Sequence, residues 1–128
     1  MLTGINILVA EDNSLNQRIV NFILQKQNAL VTIVANGNLA VEQLTQKHFD
    51  VILMDLHMPE LDGYETTEFI RKEMNNKIPI IALSASKLPD DVAKCLDAGM
   101  NACISKPVDP NELYELILKV LTDNKITT

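Results

Sequence analysis

Five short apolar runs rich in β-branched residues, separated by stretches of helical spacing, constrain this chain more than any other feature. The runs are Ile5 to Ala10, Leu30 to Val34, Val51 to Met54, Ile78 to Leu83 and Ala102 to Ile104. They are nearly continuous rather than alternating, the pattern of strands covered on both faces. Between them apolar residues recur at helical spacing: Leu15, Ile19, Phe22, Ile23; then Ala40, Val41, Leu44; then Thr66, Phe69, Ile70; finally Leu113, Leu116, Ile117, Val120, Leu121. A thinner stripe of Val92, Ala93, Cys95 and Leu96 predicts a weaker helix from about Pro89 to Ala98. Asn36 before Gly37, Pro89-Asp90-Asp91 and Asp109-Pro110 before Glu112 read as helix starts, Gly63 and Gly99 as turns. A strand and a helix repeated five times predict an α/β fold: an open parallel sheet with right-handed crossovers and helices on both faces. In such sheets ligands sit beyond the carboxyl ends of the strands, where the order reverses.

At 128 residues the chain has room for one well-filled core, so a single domain over 1–128 is expected, its core about 5–121. The polar end from Thr122 to Thr128 is expected to fray. Seventeen acidic against eleven basic side chains give a formal charge of -6, which argues against direct nucleic-acid binding. No apolar run approaches the ~20 residues of a membrane span, so no membrane insertion and a cytoplasmic setting are expected. Cys95 and Cys103 lack partners at metal-ligand spacing and read as two structural thiols, neither zinc ligands nor a disulfide.

The strand ends carry the chemistry. The first run ends in Ala10-Glu11-Asp12-Asn13 and the third in Met54-Asp55-Leu56-His57-Met58-Pro59, so Glu11, Asp12 and Asp55 converge at one sheet edge. Three carboxylates that close repel by an amount of order 1 kcal/mol or more, and a hard divalent cation relieves them. All-oxygen ligation with retained waters suits Mg²⁺, with Mn²⁺ as the alternative. The fourth run ends in Leu83-Ser84-Ala85-Ser86 and the fifth in Ile104-Ser105-Lys106-Pro107, adding a hydroxyl and an ammonium to the same edge. Either can serve an incoming phosphoryl group: Lys106 by neutralising Asp55 or a phosphoryl oxygen, Ser84 by donating a hydrogen bond.

The segments Ile7 to Asn13, Leu53 to Gly63, Ala82 to Ala85 and Ser105 to Pro107 resemble, in this order, the motifs of response-regulator receiver domains of two-component signalling. The run Glu11 to Gln17 is most similar to receivers attached to hybrid sensor histidine kinases. The resemblance implies a flavodoxin-like (βα)5 sandwich with strand order 2-1-3-4-5, an order that comes from the family and not from the residues. It implies a phosphoacceptor at Asp55, and a metal held by Glu11, Asp12, Asp55 and the backbone carbonyl of His57. Ser84 and Lys106 would contact the phosphoryl group, and the Lys106-Pro107 bond would be cis. The donor would be a histidine kinase or a histidine phosphotransfer domain, and such a chain catalyses its own phosphorylation and dephosphorylation. Ser86 and His57 fall near the approach of a hydrolytic water, Ala85 lies between the two serines, and an output partner would read the fourth helix, fifth strand and fifth helix. One departure stands out: Cys103 lies three residues before the lysine, where many receivers have an aromatic lever.

Three other classes compete with this one. A phosphorylation-independent binding module would have no need for repelling carboxylates. A flavin carrier would want a phosphate-cradling loop where Asp12-Asn13-Ser14-Leu15 begins acidic, and an aspartyl hydrolase would want an acid where His57 stands.

Overall fold

The computed structural model describes residues 1–86 and 88–127, with 124–127 described by backbone alone. Ten elements alternate: β1 (Asn6–Ala10), α1 (Ser14–Lys26), β2 (Leu30–Val34), α2 (Gly37–Gln46), β3 (Val51–Asp55), α3 (Gly63–Lys72), β4 (Ile80–Ser84), α4 (Pro89–Asp97), β5 (Ala102–Ser105) and α5 (Pro110–Thr127). The five strands form one parallel sheet in the order β2-β1-β3-β4-β5, a flavodoxin-like arrangement. Helix α5 runs across most of the segment expected to fray; Thr128 lies outside the described residues.

Alternation along the strands feeds two cores. Leu8, Ile52, Met54, Ile80 and Ala82 face α2, α3 and α4, meeting Ala40, Ile70 and Cys95. Ile7, Val9, Leu53, Ile81 and Leu83 face α1 and α5, meeting Val20, Leu24, Leu113, Ile117 and Val120. Strands β3 and β4 are buried along their whole length, as continuous apolar runs require. At about 1.5–3 kcal/mol for each large side chain removed from water, these two layers are the main source of stability.

The helix stripes read from sequence hold for α2 and α5 and fail in part for α1, α3 and α4. In α1 the sheet takes Val20 and Leu24, leaving Leu15 and Phe22 each 62% exposed and Ile19 41% exposed. In α3 Thr66 and Ile70 are buried while Phe69 faces solvent, and in α4 only Cys95 is fully buried. Asn13, Asn36 and Asp109 cap their helices by accepting from backbone N–H groups at 3.0, 2.8 and 2.9 Å. Helix α4 has no side-chain cap of its own.

Gly63 is the first residue of α3 rather than part of a free turn, behind a capping box in which Asp62 and Glu65 exchange hydrogen bonds. A Cβ there would overlap the carbonyl oxygen of Asp55 and stand 2.9 Å from the Leu56 Cα, so α3 packs this close to the end of β3 only because the residue is glycine. Gly63→Ala is expected to cost about 1–3 kcal/mol, read from the denaturant midpoint, because backbone rather than a flexible side chain must give way. An unchanged midpoint would show that the close approach is not needed.

Candidate functional site

Sheet register brings the acidic residues together. Ala10 pairs with Met54 across β1 and β3, so the next residues, Glu11 and Asp55, leave the two central strands side by side. Asp12 follows, exposed, and one carboxylate oxygen from each of the three lies within 4.8 Å of the others. Asp12 opens the loop before α1, whose Asn13 cap fixes the start of the helix; the Gln17 amide donates to the Glu11 carbonyl at 2.6 Å.

Register on the other side of β3 delivers the remaining polar groups. Asp55 pairs with Leu83, and Ser84 with Ser105, so Ser84 and Lys106 emerge one step beyond the acidic pair. The Lys106 N–H donates to the Ser84 carbonyl at 2.7 Å, tying the two strand ends, and the Lys106-Pro107 peptide bond is cis, as the resemblance implied. The Lys106 ammonium stands 3.0 Å from Asp55 Oδ1 and 3.0 Å from Glu11 Oε1. The Asp55 contact is a hydrogen bond; the Glu11 contact has the right length without the alignment, so Glu11 Oε1 remains a buried oxygen with an ionic neighbour and no donor.

The electrostatics follow from that crowding. Burial, followed by the shared contact with the Asp55 carboxyl, pushes Glu11 up to about 7, although Lys106 and the Asn13 N–H pull the other way. Burial alone would lower Lys106, but its contacts with the Glu11 and Asp55 carboxyls outweigh it and hold the ammonium above its ordinary value. The lysine is charged near neutral pH and Glu11 is divided between its forms. A buried carboxylate oxygen without a donor, set among three convergent carboxylates, fits an oxygen-ligated divalent cation.

Other expected participants sit nearby in different states. Asp55 is 3% exposed and its Oδ1 accepts from both Lys106 and the His57 N–H, the latter at 3.3 Å; Oδ2 receives neither. His57 is exposed, which suits a backbone contribution better than a ring contribution. The Ser84 hydroxyl, 3% exposed, donates to the Ser86 carbonyl at 2.8 Å and accepts from the Ser86 N–H at 3.1 Å. Ser86 in turn donates its hydroxyl to Asp91 Oδ2 at 2.7 Å and accepts from the Leu88 N–H. Ala85 is exposed, and Cys103 is partly buried beside α4. Asp91 was missed as a site residue because sequence alone shows it only as a helix-start acid.

The chain is 42% identical over 121 residues to hybrid signal transduction histidine kinase M of Dictyostelium discoideum, covering 90% of this chain and 5% of that protein. Like this one, further curated relatives that it matches are histidine kinases, and the chain spans between 5% and 15% of their length. Among solved structures, the receiver domain of a sensor histidine kinase from Pseudomonas aeruginosa, with magnesium coordinated in its active-site cleft, superposes with a TM-score of 0.85. The two are 40% identical, with 94% of this chain and 99% of that one covered. A co-crystal structure of the Saccharomyces cerevisiae histidine phosphotransfer protein Ypd1 with the receiver domain of Ssk1 matches at 32% identity and a TM-score of 0.84, covering 91% and 88%. The family model for the response regulator receiver domain matches residues 7–118, which the strand order and the convergence of polar strand ends accompany; the chain belongs to the response-regulator receiver domains of two-component signalling.

Proposed function

We propose that Asp55 accepts a phosphoryl group from a phosphohistidine donor, with Mg²⁺ held by Glu11, Asp12, Asp55 and the His57 carbonyl. The observation that carries this reading is the Asp55 carboxylate, buried at the end of a central strand with Oδ1 held by Lys106 and Oδ2 left outside both of its hydrogen bonds. An ionised carboxylate needs no general base, so Oδ2 can attack phosphorus in line while the leaving imidazole departs on the far side. A cation held by these residues would supply charge neutralisation on the transferring oxygens. Lys106 offsets a further part of that charge and remains in contact with the acyl phosphate formed.

Ser84 supplies the conformational step. To donate to a phosphoryl oxygen its hydroxyl must leave the Ser86 carbonyl, and Ser86 is bound through its own hydroxyl to Asp91 in the first turn of α4. Phosphorylation thereby pulls on α4 through backbone and Ser86, a route that needs no aromatic lever at Cys103. An output partner on the face of α4, β5 and α5 would read that movement.

The donor side has support of its own. Leu15, Ile19 and Phe22 form an exposed apolar strip on α1, and a shallow hollow lined by Ile19, Val20, Leu83 and Val108 runs from that strip to Glu11 and Lys106. An apolar face that ends at Glu11 and Lys106, the ionic neighbours of the acceptor, suits a helical phosphotransfer domain that must bring its histidine within bonding distance. None of the described helices is long and apolar enough to cross a membrane.

Incubation with a small acyl phosphate or a phosphorylated histidine domain in Mg²⁺ is expected to add one phosphoryl mass, and a chelator is expected to abolish the addition. Equal labelling with and without chelator would overturn the metal-dependent reading.

A further inference from the structure

The only two cysteines of the chain are 8 positions apart in sequence and meet in space: Cys95 Sγ and Cys103 Sγ are 4.0 Å apart. Both are free thiols. Cys95 sits at the one fully buried position of α4, and Cys103 is partly exposed on β5. A disulfide needs the sulfurs to close from 4.0 Å to about 2 Å, which side-chain rotation and a shift of the helix would supply. That helix lacks a side-chain cap and has Cys95 as its one fully buried residue, features of an element of low local stability.

We propose that Cys95 and Cys103 are a redox pair whose disulfide, formed by a two-electron oxidant of the peroxide class, clamps α4 to β5. The Cys103 thiolate, the more accessible of the two, attacks the peroxide oxygen; the O–O bond breaks, hydroxide leaves and Cys103 becomes a sulfenic acid. The Cys95 thiolate then displaces hydroxide from that sulfur, forming the S–S bond. Two thiols and one peroxide give one disulfide and two waters. Burial and the adjacent Cys95 push the Cys103 thiol up to about 11, with Tyr64 on α3 and Asp91 on α4 also nearby, so little thiolate is present at neutral pH and the attack on peroxide is slow. The clamp would hold the same helix that Ser86 and Asp91 connect to Ser84, but its formation does not depend on phosphorylation.

The test treats the full chain with hydrogen peroxide and reads intact mass, peptide linkage and backbone hydrogen exchange. The expected result is loss of two hydrogen masses within monomeric protein, a linked peptide joining Cys95 to Cys103, and full reversal by dithiothreitol. Cys95→Ala should instead leave a sulfenic acid at Cys103 that dimedone traps. Exchange of the α4 amides should slow by at least about tenfold in the oxidised form. Oxidation of the wild type to sulfinic or sulfonic acid without a linked peptide would overturn the pair, and unchanged α4 exchange in the linked form would overturn the clamp.

Discussion

Asp55→Asn is expected to lose phosphoryl labelling completely while keeping the fold. The amide is close to the carboxylate in size, so packing at the end of β3 is retained, but a neutral amide oxygen is a poor nucleophile and a poor metal ligand. The other acids near the sheet edge have different work. Asp62 and Asp109 cap helices with their side chains, and Asp91 holds Ser86. Glu11 is engaged through both oxygens, Oε2 by the Asn13 N–H and Oε1 by the ionic contact with Lys106, and Asp12 is turned to solvent, whereas both hydrogen bonds of Asp55 fall on Oδ1. Intact mass after incubation with an acyl phosphate and Mg²⁺ measures the effect. Labelling of Asp55→Asn at the wild-type rate would refute the assignment.

Asp12→Ala should weaken Mg²⁺ binding by at least about tenfold, since it removes a direct carboxylate where loss of a mere supporting contact typically costs 10–100-fold. Its exposure makes the change safe for the fold, which a buried acid would not be. The same titration has a predictable pH dependence. Because Glu11 sits near 7 in the free protein, the cation must displace a proton below that value, and affinity should fall by up to about tenfold for each unit of pH below 7. The stability linkage has the matching sign. A carboxyl raised from 4.5 to about 7 favours the folded state most below 4.5, and that contribution, of order 3 kcal/mol at most, is lost as pH rises through 7. Mg²⁺ should therefore stabilise the protein more at pH 8 than at pH 6, and Glu11→Gln should flatten the difference. Calorimetric titration and thermal unfolding read these effects, and equal Mg²⁺ affinity in wild type and Asp12→Ala would remove Asp12 from the site.

Much of this was legible in the residues because the strands are buried on both faces. A continuous apolar run of four or five residues admits few other placements, and strand ends then fix where Glu11, Asp55, Ser84 and Lys106 must emerge. Helix α1 was legible as a helix but not in its rotation: it carries two apolar stripes, Leu15-Ile19-Phe22 and Val20-Leu24, and periodicity cannot choose between them. Of the stripe that satisfied the pattern, Ile23 packs against the core and Leu15, Ile19 and Phe22 are left to solvent. Phe69 misled for a simpler reason, since the buried face of α3 is completed by Thr67 beside Thr66 and Ile70, and a reading by hydrophobicity prefers the aromatic to the threonine. Gly63 read as a turn because its real constraint, the nearness of the β3 backbone, is not local in sequence. The shared grip of Lys106 on Glu11 as well as Asp55, and the meeting of Cys95 with Cys103, likewise depend on neighbouring strands and helices that spacing does not reveal.

The central claim is that the phosphoryl group resides on one carboxylate, and peptide-level mass mapping of the labelled wild type addresses it most directly. After incubation with a phosphohistidine donor in Mg²⁺ and rapid digestion in acid, the label should lie on the peptide containing Asp55 and be removed by alkaline hydroxylamine, as an acyl phosphate is. A label on another peptide, or one that survives hydroxylamine as a phosphoserine would, contradicts the account.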